Sequence, residues 1–292
     1  MSEIVGIGEI LWDVFGDKKT LGGAPANFSY HAACQGASAH LVSAIGDDPL
    51  GDAVIAALAS KSVDLQLQRV PAPTGTVTVS LDAAGVAHYD FPDDVAWDHL
   101  QTTPQILDLA ARTDAVCFGS LAQRSPRSRE TIRAFLKAVP ANAIRVFDAN
   151  LRQNFYDPAL LADSLSLATM LKINEEELEI FKRLLNAVPA TREAFAGTLF
   201  RRYPAMRYCV LTLGADGSEI WSADGEHSRL PGDSSVCLVD TVGAGDSFTA
   251  TLLAALLAGT PLARAHAHAA RVSAFVCSRE GAMPELPQNL KL

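Results

Sequence analysis

The sequence predicts an α/β fold, with a mostly parallel central sheet covered by helices on both faces. Three observations lead there. Short apolar or β-branched runs at 4–10, 40–45, 115–118, 144–147, 170–173 and 208–213 read as buried strands. Turn residues bound each run. Stretches with helical spacing at 24–35, 51–60, 104–111, 127–139, 157–168, 175–185, 191–203 and 246–258 complete the pattern. Strands alternating with helices of this length indicate βαβ units.

Taken in order, 4–10 opens the sheet, and the rhythm then holds except between about 67 and 98. There, GTVTVSLDAAGVAHYDF alternates strand-like residues on either side of Asp82-Ala83-Ala84-Gly85, which signals a β-hairpin with a Gly-containing loop. Such an insertion serves either as an edge decoration or as a flap over a site, and the residues leave both readings open. No internal repeat, low-complexity tract or composition break marks a second domain, so residues 1–292 read as one.

Of the 292 residues, 49% are hydrophobic and 20% charged, enough for a substantial core. The 24 basic residues face 33 acidic ones, a formal charge of −9. That excess argues against a nucleic-acid surface. Cys34, Cys117, Cys209, Cys237 and Cys277 show no C-x-x-C spacing and lie in apolar or small-residue stretches, so buried free thiols are expected. The N-terminal stretch lacks a basic n-region, and no run of about 20 apolar residues exists to span a bilayer. A cytoplasmic protein with no membrane or nucleic-acid partner is expected.

The strongest chemical signal is Asp240-Thr241-Val242-Gly243-Ala244-Gly245-Asp246-Ser247-Phe248, followed at once by an apolar helical run. Gly243, Ala244 and Gly245 leave backbone N–H groups bare. The helix directs its own unsatisfied N–H groups and positive dipole end to the same point. Donors placed in advance can stabilise a transferring phosphoryl group, and Asp246 can accept the proton of an attacking hydroxyl. The plainer alternative is that Asp246 caps the helix, where Asp is favoured. Neither a P-loop nor an H-R-D catalytic loop occurs, and Gly6-x-Gly8 lacks the third glycine of a dinucleotide fingerprint. The residues alone give an anion site of open purpose.

D-T-V-G-A-G-D-S-F closely resembles the C-terminal signature of the PfkB, or ribokinase-like, carbohydrate kinases. Gly22-Gly23-Ala24-Pro25-Ala26-Asn27-Phe28 and Ile45-Gly46-Asp47-Asp48-Pro49-Leu50-Gly51-Asp52 resemble their N-terminal signature, in the correct order. With Gly-Glu-Ile-Leu-Trp-Asp at 8–13 and Asp148-x-Asn150-Leu151-Arg152, the chain looks most like bacterial fructokinases and 2-keto-3-deoxygluconate kinases.

The resemblance implies a three-layer α/β/α sandwich with a small discontinuous β lid from about 11–21 and 67–98. It implies phosphoryl transfer from ATP to a primary sugar hydroxyl, with Asp246 as base and 243–246 as anion hole. Asp13, Gly22, Gly23 and Asn27 match positions that bind the sugar. Arg152 matches one that contacts substrate or transferred phosphate, and Tyr89 could close over the sugar. A loop cap, a turn, a helix cap, a solvated arginine and hairpin packing are the corresponding structural readings.

Asn174 and Glu177 match the family's N-x-x-E motif, associated with Mg²⁺ through water, although an N-capped acidic helix start explains them too. Thr212, Gly214 and Gly217 resemble the nucleotide-binding strand and loop, and Lys172 could reach a phosphate. The backbone near Asp240, Val242 and Gly281 could hold K⁺, as in similar kinases, and lids of this kind can pair in a homodimer.

One departure stands out: His266-Ala267-His268 occupies the helix where many relatives place an adenine-side asparagine, so the adenine contact stays unassigned. The two histidines face different directions and form no metal pair. Fructose is the first substrate reading. Alternatives are 2-keto-3-deoxygluconate, ribose, another sugar or a nucleoside, or a non-catalytic sugar- or nucleotide-binding regulator. Asp90, Asp93 and Asp94 after the hairpin favour a neutral sugar over a sugar acid.

Overall fold

The structure is a computed structural model, and it describes residues 1–81, 87–187 and 191–292. Its strands are β1 (Glu3–Ile7), β2 (Leu11–Phe15), β3 (Lys18–Gly22), β4 (Ser38–Gly46), β5 (Asp64–Val70), β6 (Gly75–Leu81), β7 (Ala87–Asp90), β8 (Ala115–Phe118), β9 (Ile144–Asp148), β10 (Met170–Asn174), β11 (Tyr208–Thr212), β12 (Ser218–Ser222) and β13 (His227–Leu230). The helices are α1 (Ala24–Cys34), α2 (Pro49–Leu58), α3 (Pro104–Ala111), α4 (Pro126–Ala138), α5 (Pro158–Leu167), α6 (Glu175–Leu184), α7 (Arg192–Arg202), α8 (Ala244–Leu257) and α9 (Leu262–Cys277).

Among the described residues, nine strands form the main sheet in the order β13-β12-β11-β10-β9-β8-β1-β4-β5. Pairing is parallel from β5 to β11 and antiparallel through β12 and β13. Strand alternation sends successive side chains to opposite faces, and two apolar cores result. Val5, Ile7, Val116, Phe118, Phe147, Leu171 and Ile173 face α3 to α7. Ile4, Ala115, Cys117, Val146 and Met170 face α1, α8 and α9. Lys172 and Asp148, two residues beyond Met170 and Val146, therefore share the α8 side, and β9 and β10 pair them directly.

The predicted strand at 4–10 stops at Ile7. Burial continues past it through Glu9 and Ile10, yet these form a link into a second sheet, and burial alone cannot tell a strand from such a link. That smaller sheet runs β3-β2-β6-β7, with β2 and β6 parallel and the outer pairs antiparallel. The predicted hairpin is β6–β7; its turn at 82–85 falls outside the described residues. Strand β5, unforeseen in the sequence, lies at the edge of the main sheet. The thiols are free, but Cys237 is exposed instead of buried, and only Cys117 and Cys209 are fully enclosed. No helix among the described residues is long and apolar enough to cross a membrane.

Candidate active site

The links and helix starts beyond the carboxyl ends of the parallel strands build one polar cluster. Helix α8 begins at Ala244, two residues before the predicted start. Gly243 precedes it in the left-handed region, φ 77°, and a Cβ there would lie 2.7 Å from Ala282. Only glycine combines that dihedral with that approach. Asp246 is thus not the cap but a first-turn residue, and α8 has no side-chain cap. The first-turn N–H groups of Gly245 and Asp246 have no acceptor within the helix.

Asp246 Oδ2 accepts a 2.8 Å hydrogen bond from Asn27 Nδ2 on α1. Although the residue keeps partial exposure, burial of the carboxyl group is the main force raising Asp246 to about 6. The Asp148 carboxylate adds to it, and the Asn27 amide, Lys172 ammonium and Arg152 guanidinium oppose it. Glu9, on the link between β1 and β2, is buried and pushed up to about 7, by burial first and by the Asp246 charge.

Gly22 ends β3 beside Asp13, and a side chain there would collide with the Asp13 carboxylate. Gly23 sits at φ 106°, where a Cβ would meet the Glu9 carbonyl oxygen at 2.7 Å. The glycine pair thereby lets β3 turn into α1 directly against the β1–β2 link. Asp13 is raised by burial, against the pull of Arg152. Arg152 itself is exposed on the loop after β9, and its charge reaches Glu9, Asp13 and Asp246.

On the other side, Lys172 Nζ donates to Asp148 Oδ1 at 3.0 Å. A Cβ on Gly245 would lie 2.8 Å from that ammonium, so the charge stands against the glycine turn. Burial acts to lower Lys172, but Asp148, Glu177 and Asp246 outweigh it and raise it. Thr249 completes the network, donating to Asp148 Oδ2 at 3.2 Å or to the Gly245 carbonyl at 2.9 Å.

Asn174 and Glu177 close a capping box: Asn174 Oδ1 accepts from the Glu177 N–H and Glu177 Oε2 from the Asn174 N–H, both at 2.8 Å. Glu177 Oε1 also accepts the Leu151 N–H at 2.7 Å, tying the Arg152 loop to α6. Asp240 likewise bridges two loops, taking the Val242 and Gly281 N–H groups at 3.0 Å each. Thr212 donates to the Ile173 carbonyl at 3.4 Å. Gly214 lies in open space at φ 56°, whereas Gly217 is packed against 230–232, where a Cβ would clash. The Tyr89 side chain lies outside the described residues. His266 is fully satisfied between Ser218 and Ser228, at 2.7 and 2.8 Å, and His268 faces Gln35.

The cluster therefore joins Asp13, Asn27, Arg152, Lys172 and Asp246 with two residues that stand in the sequence motifs without an assigned role, Glu9 and Asp148. Glu9 had a signal: a carboxylate inside an otherwise apolar run. Asp148 had one too, standing in register with Lys172 once the parallel order is known.

Known proteins share this architecture and sequence. The pfkB family carbohydrate kinase profile matches residues 7–289. A fructokinase from Klebsiella pneumoniae is 33% identical over 283 residues, covering 91% of this chain and 88% of its own. Fructokinase-1 of Oryza sativa is 29% identical, covering 94% and 87%. The crystal structure of a Pyrococcus horikoshii sugar kinase in complex with ATP superposes with a TM-score of 0.79 at 27% identity, covering 96% and 94%. Sequence, fold and relatives agree: the chain belongs to the pfkB family of carbohydrate kinases.

Proposed function

We propose that this carbohydrate kinase transfers the γ-phosphoryl group of ATP to the primary hydroxyl of fructose, giving fructose 6-phosphate. The observation that carries the reading is the Asp246 carboxylate, fixed by Asn27 beside the Gly245 turn and the Lys172 ammonium. Asp246 takes the hydroxyl proton, the freed oxygen attacks the γ-phosphorus, and the bond to the β-phosphate oxygen breaks, releasing ADP. The amides at 243–246 and Lys172 meet the charge of the moving group, the electrostatic assistance phosphoryl transfer depends on.

Asp13, Gly22, Gly23, Asn27 and Arg152 receive the sugar, with Tyr89 above it. Thr212, Gly214 and Gly217 border the nucleotide. Among the described residues no group of three or more His, Cys, Asp or Glu could hold a metal, and both Glu177 oxygens already accept backbone N–H groups. That donor set fits Mg²⁺ carried mainly by phosphates and water, with Asn174 and Glu177 acting through water. Mg²⁺ bound there would neutralise phosphate charge. The loops joined by Asp240 offer carbonyls for K⁺ at Asp240, Val242 and Gly281.

Fructose is preferred because relatives such as the Klebsiella pneumoniae protein carry that name. A cluster of Glu9, Asp13 and Asp246 also suits a neutral polyol better than a sugar acid. A coupled ADP-release assay across fructose, ribose, glucose, 2-keto-3-deoxygluconate, tagatose and adenosine tests this. The highest kcat/KM is expected for fructose; a higher value for another substrate overturns the fructose assignment, and no turnover with any overturns the kinase reaction.

A further inference from the structure

Glu9 is 2% exposed. Its Oε2 atom is buried without a hydrogen-bond partner, although the N–H groups of Glu9 and Ala24 lie near the carboxyl group. Asn27 Oδ1, on the side chain that donates to Asp246, is buried and unpartnered as well. A buried polar atom left unpaired loses its hydration without regaining a hydrogen bond. One belongs to the side chain that holds Asp246 and the other to a carboxyl group that feels the Asp246 charge, so both are part of the same polar cluster.

The charged and titratable groups facing Glu9 come from three other elements: Asp246 from α8, Arg152 from the loop after β9 and Cys117 from β8. Like-charged carboxylates crowded in low dielectric do not all ionise, and the most deeply buried one keeps its proton. Glu9 is that group, raised to about 7 chiefly by burial. An ionised Asp13 or Asp246 can only accept hydrogen bonds, whereas a carboxylic acid donates one. A sugar presents oxygens that need donors as well as hydroxyls that need acceptors, and Glu9 is the acid in the cluster able to serve the former.

We propose that Glu9 is a sugar-binding residue, donating its carboxylic O–H to a sugar oxygen beside the hydroxyl that Asp246 deprotonates. This rests on the kinase reading above and assigns the substrate side of the same site. Its consequence is a pH dependence of sugar binding opposite to that of the base: sugar affinity falls as pH rises through about 7, while ATP affinity does not follow.

The test measures dissociation constants of fructose and the other panel sugars by calorimetry without nucleotide, from pH 6 to 9, alongside KM for sugar and for ATP. Wild type should lose about tenfold in sugar affinity across that range, the worth of one buried hydrogen bond. Glu9→Gln, whose amide still donates, should weaken binding about threefold and flatten the pH profile. Glu9→Ala should weaken sugar binding about tenfold at pH 6 with KM for ATP unmoved. Wild-type sugar affinity in Glu9→Ala, a Glu9→Gln profile still as steep as wild type, or parallel rises in both KM values overturns the assignment. Should Glu9→Ala fail to fold, the wild-type and Glu9→Gln profiles decide. Sugar binding without turnover overturns the kinase reaction while the Glu9 comparison still reads out; binding of no sugar overturns both.

Discussion

Asn27 and Asp246 stand 219 residues apart in the chain and share a 2.8 Å hydrogen bond between Nδ2 and Oδ2. Helices α1 and α8 pack on the same face of the main sheet, with Phe28 and Phe248 in one core. The N-terminal G-G-A-P-A-N and C-terminal G-A-G-D stretches are thus two halves of one arrangement. The bond from Asn27 engages Oδ2 of Asp246 and, in the proposed reaction, leaves the other carboxylate oxygen for the substrate hydroxyl.

Removing the proposed proton acceptor should cost activity without costing the fold. Asp246→Asn is expected to lower kcat about 10²–10⁴-fold, the usual worth of a positioned base. It should also stabilise the protein at neutral pH. The folded carboxyl group titrates at about 6 instead of 3.8, so between those values the folded state binds more protons than the unfolded chain. Stability therefore falls as pH rises through that window. The amide of the Asp246→Asn variant does not titrate and escapes this loss, worth at most about 3 kcal/mol at pH 7. Thermal unfolding of both proteins at pH 4 and pH 7 checks it: the melting temperatures should separate only at the higher pH.

The proposed base role also sets a pH–rate profile. Asp246 must be ionised to accept a proton, so kcat is expected to fall as pH drops through about 6. Asn27 favours the ionised form by donating to it. Asn27→Ala should therefore move the acid limb upward and lower kcat even on its plateau, because the carboxylate loses its orientation. A limb that stays in place would separate Asn27 from the base.

How much of this was legible follows from what each residue interacts with. The βαβ rhythm and most helix ends showed because they depend on local pattern: three helices open on Thr103-Pro104, Ser125-Pro126 and Asp157-Pro158, within a residue of the expected starts, while α2 opens on Asp48-Pro49, two residues before its own. Glycine-rich turns showed for the same reason. Glu9 did not, because it reads as part of a buried strand until the chain is seen to leave β1 at Ile7. Asp148 and Lys172 became partners only through parallel register, a relation between segments 24 residues apart. Glu177 was visible as a capping residue, but its hold on the Leu151 N–H was not.

Lys172 and Gly245 should behave as a unit. A Cβ at 245 would stand 2.8 Å from the ammonium, so Gly245→Ala must push Lys172 away. Lys172→Met removes the charge outright and leaves Asp148 buried without its cation. Both are expected to lower kcat by about 10²-fold or more. Lys172→Met should also raise the acid limb, since the ammonium opposes the upward shift of Asp246. Single-turnover measurements with bound ATP distinguish this loss from weaker nucleotide binding.

Asp240 joins the 242 and 281 backbones at 3.0 Å each, which places carbonyl-bearing loops side by side next to Gly243. For the proposed K⁺ site, replacing K⁺ by tetramethylammonium at constant ionic strength is expected to lower kcat, because the larger cation would not fit between the Asp240, Val242 and Gly281 carbonyls. Equal activity in the two salts would remove K⁺ from the site and leave Asp240 as a loop tie alone.

Away from the chemistry, Arg124 anchors the segment that follows the β6–β7 hairpin. Its side chain and that of Asp98 are each only 8% exposed. Nε and Nη2 donate to the two Asp98 oxygens at 3.0 and 2.7 Å, and Nη2 also reaches the Pro92 carbonyl at 2.6 Å. The guanidinium lies 4.0 Å from the Trp97 ring centroid, over its face, and Trp97 packs in turn against Gly75 at the start of β6. Arg124→Ala would strand the Asp98 carboxylate in the interior, at a cost of about 3–5 kcal/mol. Arg124→Met with Asp98→Leu removes both charges and fills the volume, so most of that loss should return. Urea unfolding of the single and double variants measures the difference; a double variant as unstable as Arg124→Ala would show that stacking on Trp97, not the ion pair, holds the segment.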